Sequence, residues 1–222
     1  MEELAGEFRV LALDLPGHGA AAGRPFRLDA AARAVVAVIT AHAPGGALLV
    51  GLSLGGYVAM AVAQQTPWAT TGLVLSGCSV VYRGLLGGLA RANALLLGVY
   101  SHRWLTRMNA RTLRQMLPPA LAEPQIAAGF SWKAAGQGFA ALAGQDLRPG
   151  LRAYAHPVLI LNGADDRLNR AGEAALAAAC PQAMVRTIAG AGHVANLEQP
   201  TAFTAAVRAF AQAHVVRSPA PA

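Results

Sequence analysis

Residues 50–56 read VGLSLGG, and this heptapeptide constrains the fold more than any other stretch of the chain. An apolar run, ALLVGL (47–52), enters it, and a helical pattern from Gly56 to Gln65 leaves it. A strand must therefore become a helix within a few residues, with Gly51, Gly55 and Gly56 where a Cβ would collide with the neighbouring element. A hydroxyl buried at Ser53 without a partner would cost roughly 1–3 kcal/mol, so the serine either leaves the core or is paired. Gly-x-Ser-x-Gly at such a turn lifts the serine clear of a sheet's carboxyl edge.

The alternation continues along the chain. FRVLALDLP (8–16) reads as a buried strand that stops at Pro-Gly. Asp29 can cap the helix after it, in which Leu28, Ala32, Val35, Val36 and Ile39 recur at helical spacing. GLVLSG (72–77), PVLIL (157–161) and MVRTI (184–188) read as further strands, with helices through 170–179 and Pro200–His214 and a frayed tail, VVRSPAPA. From 83 to 150 there are only amphipathic helical stretches, broken at Pro118-Pro119 and at Gly136-Gln137-Gly138. The expected class is α/β, a mostly parallel sheet with helices on both faces. Residues 1–82 and 151–222 are expected to form the two parts of the core, with 83–150 as a helical insertion.

Composition removes several function classes. Hydrophobic residues make up 55% and charged residues 13%, which excludes a disordered chain. The net charge is +7, yet Lys133 is the sole lysine and the arginines are scattered, densest from Arg83 to Arg114 among Leu, Met and Trp. No nucleic-acid partner is expected from that pattern. Cys78 and Cys180 match no metal or redox spacing and read as buried hydrophobes; no Cys/His cluster suggests a metal. Residues 34–82 carry no Lys, Arg, Asp or Glu, which raises the question of a membrane span. Pro44-Gly45-Gly46 and the break at Gln64–Pro67 argue for short buried elements instead, and with no leader-like stretch a cytoplasmic location is expected.

A serine hydroxyl is a poor nucleophile until a base takes its proton, and the base needs an orienting carboxylate. At this kind of turn the chain order is serine, acid, histidine. The loop after PVLIL, NGADDRLN, carries Asp165 and Asp166, and the loop after MVRTI, AGAGHVANLEQP, carries His193. Residues 72–82 hold no acid that could serve instead. His18 lies in a turn, His42, His102 and His214 in helical stretches, and His156 before Pro157.

DLPGHG, GLSLGG, NGADD and GHVANLEQP, in this order and at these spacings, resemble the α/β-hydrolase family over nearly the whole chain. The resemblance implies a catalytic triad of Ser53 as nucleophile on a nucleophile elbow, His193 as base and Asp166 as acid, the family's loop reading Gly-x-x-Asp, here Gly163–Asp166. It further implies the Leu54 N–H as one oxyanion donor, residues 83–150 as a cap roofing the pocket, and no metal or organic cofactor. GLSLGG and NLEQP are most similar to esterase-like and enol-lactonase-like members. The expected activity is a serine hydrolase cleaving a carboxylic ester, lactone or thioester of a small-molecule acyl substrate through an acyl-enzyme. The alternatives are carbon–carbon bond hydrolysis by the same triad and a catalytically impaired binding protein or fragment.

One departure stands out. The family's chain begins with strands ahead of DLPGHG, one ending in a His-Gly loop that supplies the second oxyanion donor, whereas MEELAGEF resembles the end of the helix after that loop. The resemblance therefore leads one to expect an N-terminally truncated, poorly active chain. Between 8–16 and 47–52 it would lack a strand, or those two would have closed on each other.

Overall fold

The computed structural model describes residues 2–214, and the tail VVRSPAPA, expected to fray, lies outside the described residues. Helices α1 (Glu2–Ala5) and α2 (Leu28–His42) precede strand β1 (Ala47–Leu52), which passes directly into α3 (Leu54–Gln65) and then β2 (Thr70–Ser76). Four helices follow: α4 (Gly84–Val99), α5 (His102–Met116), α6 (Pro119–Ala128) and α7 (Trp132–Leu142). The chain continues through α8 (Arg148–Leu151), β3 (Val158–Gly163), α9 (Arg167–Ala179), β4 (Ala183–Ile188), α10 (Ala195–Glu198) and α11 (Pro200–His214).

The chain divides into two compact units. Among the described residues, the first holds those up to Leu13, Ala32–Val80 and those from Leu147 to His214. Its four strands are all parallel, in the order β1-β2-β3-β4. The inner strands β2 and β3 are buried along almost their whole length and read as continuous apolar runs, as strands covered on both faces do. On one face Val74, Leu159, Leu161 and Ile188 pack against Phe203, Val207 and Phe210, the apolar stripe of α11. Pairing of Leu52 with Ser76 and of Gly163 with Ile188 brings neighbouring carboxyl ends level, so the loops that follow gather at one edge.

The second unit comprises Asp14–Ala31 and Val81–Asp146. Here α7 runs unbroken through Gly136-Gln137-Gly138, where the sequence pattern predicts a break. Both glycines are buried, and a Cβ on Gly136 would lie 3.2 Å from the Ala94 carbonyl, so this glycine serves close packing of α7 on α4. The chain instead turns at Gly129, whose φ of +81° suits a residue without a Cβ. The Pro118-Pro119 break does separate α5 from α6.

Two further corrections concern the start of the chain. Residues 9–15 form no strand, and neither a parallel neighbour nor closure onto β1 is present. An apolar run becomes a strand only where its backbone groups find a ladder partner, and β1 pairs with β2 alone. Leu11 and Leu13 accordingly remain exposed, as does Val50 at the sheet edge. Asp29 lies in the first turn of α2 rather than at its cap, and accepts from Arg27 Nε at 3.3 Å. The uncharged stretch 34–82 is distributed over α2, β1, α3 and β2, and no described helix is long and apolar enough to cross a membrane.

Candidate active site

Strand β1 ends at Leu52 and α3 begins at Leu54, so Ser53 alone makes the turn. Its φ of 51° and ψ of −119° make it the one non-glycine residue with positive φ among the described residues. Such a conformation costs of order 1–3 kcal/mol and persists only where the surroundings fix it. Ser53 N–H donates to the Ser76 carbonyl at 2.7 Å, and the Ser53 carbonyl accepts from Gly56 N–H at 2.9 Å. A Cβ at Gly51 would lie 2.5 Å from the Gly55 carbonyl, and one at Gly56 would overlap Cys78. The crossing is that close at Gly51 and Gly56; at Gly55 a Cβ would meet nothing within 4 Å, so the collision expected there does not occur.

A serine preceding a helix ordinarily caps it. The Ser53 side chain makes no such bond; its Oγ lies 3.0 Å from His193 Nε2. The other ring nitrogen of His193, Nδ1, lies 2.9 Å from Asp166 Oδ2. With Nδ1 protonated toward the carboxylate, Nε2 is the lone-pair nitrogen and can accept the serine proton. Ser53 follows β1, Asp166 follows β3 and His193 follows β4, and all three belong to the first unit. Asp165, two residues past the end of β3, is exposed, and its N–H donates to the Ala191 carbonyl at 2.9 Å.

Asp166 is buried and is the N-cap of α9. Its Oδ1 accepts from Asn169 N–H at 3.3 Å, and its Oδ2 accepts from Asn169 Nδ2 at 2.8 Å. Asn169 Oδ1 in turn accepts from Ser79 N–H at 2.9 Å, tying the start of α9 to the chain after β2. Asn162 secures the neighbouring turn: its Oδ1 accepts from Gly77 N–H at 2.8 Å and its Nδ2 donates to Glu173 at 2.9 Å. Gly77, with φ +59°, leaves room for the imidazole, since a Cβ there would lie 2.8 Å from His193 Cε1. On the far side of the ring's backbone, Glu198 accepts from Gly192 N–H at 2.7 Å and Val194 N–H at 3.1 Å, clamping the residues that flank His193.

The sequence pattern alone does not single out Asn169, Gly77 or Glu198 as parts of the site. A signal for Asn169 does exist, because it stands three residues after Asp166, the spacing at which a capping side chain meets the third residue of its helix. Leu54 is the first residue of α3, so its N–H has no partner within the helix and stands at the positive end of the helix dipole, beside Ser53.

The sequence model described as "Alpha/beta hydrolase family" matches residues 1–207. The chain belongs to the α/β-hydrolase family. It is 33% identical over 233 residues to a pimeloyl-[acyl-carrier protein] methyl ester esterase of Xanthomonas oryzae pv. oryzae, covering 95% of this chain and 87% of that protein. It is 31% identical over 208 residues to a 2-succinyl-6-hydroxy-2,4-cyclohexadiene-1-carboxylate synthase of Salmonella paratyphi C, covering 86% and 78% of the two chains. Among solved structures it is similar to a thermophilic esterase from Thermogutta terrifontis, with a TM-score of 0.79 and 25% identity over 96% of this chain and 82% of that one. This α/β-hydrolase is thus an enzyme of the hydrolase class, with a parallel sheet as its frame.

Proposed function

We propose that this α/β-hydrolase cleaves a carboxylic ester, lactone or thioester of a small-molecule acyl substrate through an acyl-enzyme on Ser53. The observation that carries the reading is the contact series from Ser53 Oγ to His193 Nε2, 3.0 Å, and from His193 Nδ1 to Asp166 Oδ2, 2.9 Å. His193 takes the hydroxyl proton as Ser53 Oγ attacks the carbonyl carbon, and Asp166 holds the ring and stabilises the imidazolium that forms. The tetrahedral oxyanion lies against the Leu54 N–H and the positive end of α3, where a donor aimed at developing charge is worth most. Collapse expels the alcohol or thiol, which leaves with the proton from His193, and water, deprotonated by the same nitrogen, releases the acid and restores Ser53. The relatives named as esterases support this reading at the level of bond type.

Labelling with a fluorophosphonate probe, read by intact mass alongside hydrolysis of short p-nitrophenyl esters, tests the proposal. One adduct that maps to Ser53 and abolishes hydrolysis is the expected result. Labelling elsewhere, or ester hydrolysis that survives complete labelling, would overturn it.

A further inference from the structure

The helical unit carries a surface that the hydrolytic reaction does not use. Leu85, Leu89, Leu96 and Val99 of α4 are 81%, 56%, 47% and 84% exposed. Their spacing of four, seven and three residues places them on one helix face, opposite the face where Gly87 and Ala90 are buried. The stripe continues past the end of α4, because Tyr100 stacks on Trp104 of α5 with ring centroids 5.6 Å apart, and both rings are exposed. Met108, one turn further along α5, is exposed as well. Contiguous apolar surface of this kind marks a place where another phase or molecule is met.

Beside the apolar stripe runs a basic one. Arg103, Arg107 and Arg111 recur every four residues along α5, are exposed, and make no ion pair among the described residues, whereas Arg114 is held by Glu123. No Asp or Glu occurs between residues 30 and 122. The second unit holds nine of the chain's 18 basic residues but four of its 11 acidic ones, so most of the net charge resides there. Arg103 and Arg107, with His102, Thr106, Phe130 and Trp132, line a concavity of about 370 Å³. Within this lining the indole N–H of Trp132 donates to Thr106 Oγ1 at 2.9 Å.

We infer that this face of the helical unit docks on the surface of an anionic phospholipid bilayer. The aliphatic residues of α4 and the Tyr100–Trp104 pair enter the boundary between headgroups and acyl chains, while the arginine row meets the lipid phosphates, one of them seated between Arg103 and Arg107. Exposed leucines and aromatics flanked by arginines on the same helices are what an interfacial helix requires. A second copy of the chain is the poorer occupant, because a twofold pairing of this face would bring one arginine row close to the other. Docking leaves the protein on the membrane rather than across it, in keeping with the lengths of the described helices. The inference goes beyond the proposed reaction and does not depend on it.

The test is flotation of the full chain with vesicles of phosphatidylcholine alone or mixed with phosphatidylglycerol, at low and high salt, with sizing of the free protein in parallel. The expected result is binding to the anionic vesicles that weakens with salt and is at least about tenfold weaker for Arg103→Ala/Arg107→Ala and for Leu96→Glu/Val99→Glu. Circular dichroism and thermal melting of both variants should match the parent chain, which shows that they fold. Three outcomes would each overturn the inference: no binding to anionic vesicles, equal binding to both kinds of vesicle, or a concentration-dependent dimer that Leu96→Glu/Val99→Glu disperses in place of vesicle binding.

Discussion

Asn169 and His193 share one oxygen of Asp166, their nitrogens lying 2.8 and 2.9 Å from Oδ2. The amide therefore fixes the plane of the carboxylate before the imidazole meets it. Removing the side chain frees Asp166 to rotate and with it the ring that must face Ser53. Asn169→Ala should lower kcat by up to about 10²-fold with little change in KM, since displacement of a catalytic group by a fraction of an ångström is penalised on that scale. Steady-state kinetics against pH would check this, because a poorly held imidazole alters the pH profile while a purely structural loss scales the whole curve. An unchanged kcat would refute the positioning role.

Gly77 makes a second test of the same ring. An alanine at φ +59° is strained, and its Cβ would press on His193 Cε1 and Nδ1, at 2.8 and 3.0 Å. Gly77→Ala should cost about 1–3 kcal/mol and reduce turnover together. Gly88→Ala is the control: nothing lies within 4 Å of the added methyl, and the helical site should gain up to about 1 kcal/mol. Melting temperature and ester hydrolysis of the pair decide the matter.

Ser53→Ala should reduce ester hydrolysis by at least about 10³-fold, leaving what oxyanion stabilisation and binding supply alone. A variant that kept a tenth of the activity would remove Ser53 from the role of nucleophile. The comparison belongs at matched folded fraction, established by melting.

The two thiols are expected to be inert. Burial pushes Cys78 well above the ordinary thiol range, with the neighbouring Cys180 adding to the shift, and burial pushes Cys180 up to about 11. Ellman's reagent at mildly alkaline pH should find no fast-reacting thiol in the folded protein and two after denaturation. Because the folded thiols hold their protons more tightly than the unfolded ones, the stability they contribute is complete below pH 9.0 and declines as pH climbs toward about 11. A fast-reacting thiol in the native state would contradict this burial.

That the side chains of the candidate site come together is legible in the sequence, because it follows from chain order. Ser53, the Asp165–Asp166 pair and His193 each lie just after an apolar run, and parallel strands bring such loops to one edge. Asn169 and Glu198 are not legible, because their parts depend on which backbone groups lie near them in space, and nothing in a helix or loop sequence states that. Gly136 reads as a breaker because a glycine that ends a helix and one that admits a neighbouring helix look alike in sequence; its close approach to the Ala94 carbonyl separates them. The run at 8–16 has the composition of a strand, yet strand formation is a property of a pair, and the partner is not written in the run.

On the proposed reaction, the turn at Ser53 sets endurance and turnover against each other at one backbone position. Glycine adopts a φ of 51° without a Cβ penalty, so Ser53→Gly would relax the chain while discarding the hydroxyl that His193 reaches. A library of this chain screened for survival of heat alone would drift toward glycine at 53, and one screened for product would hold serine. Position 53 would thus record which of the two a selection had rewarded.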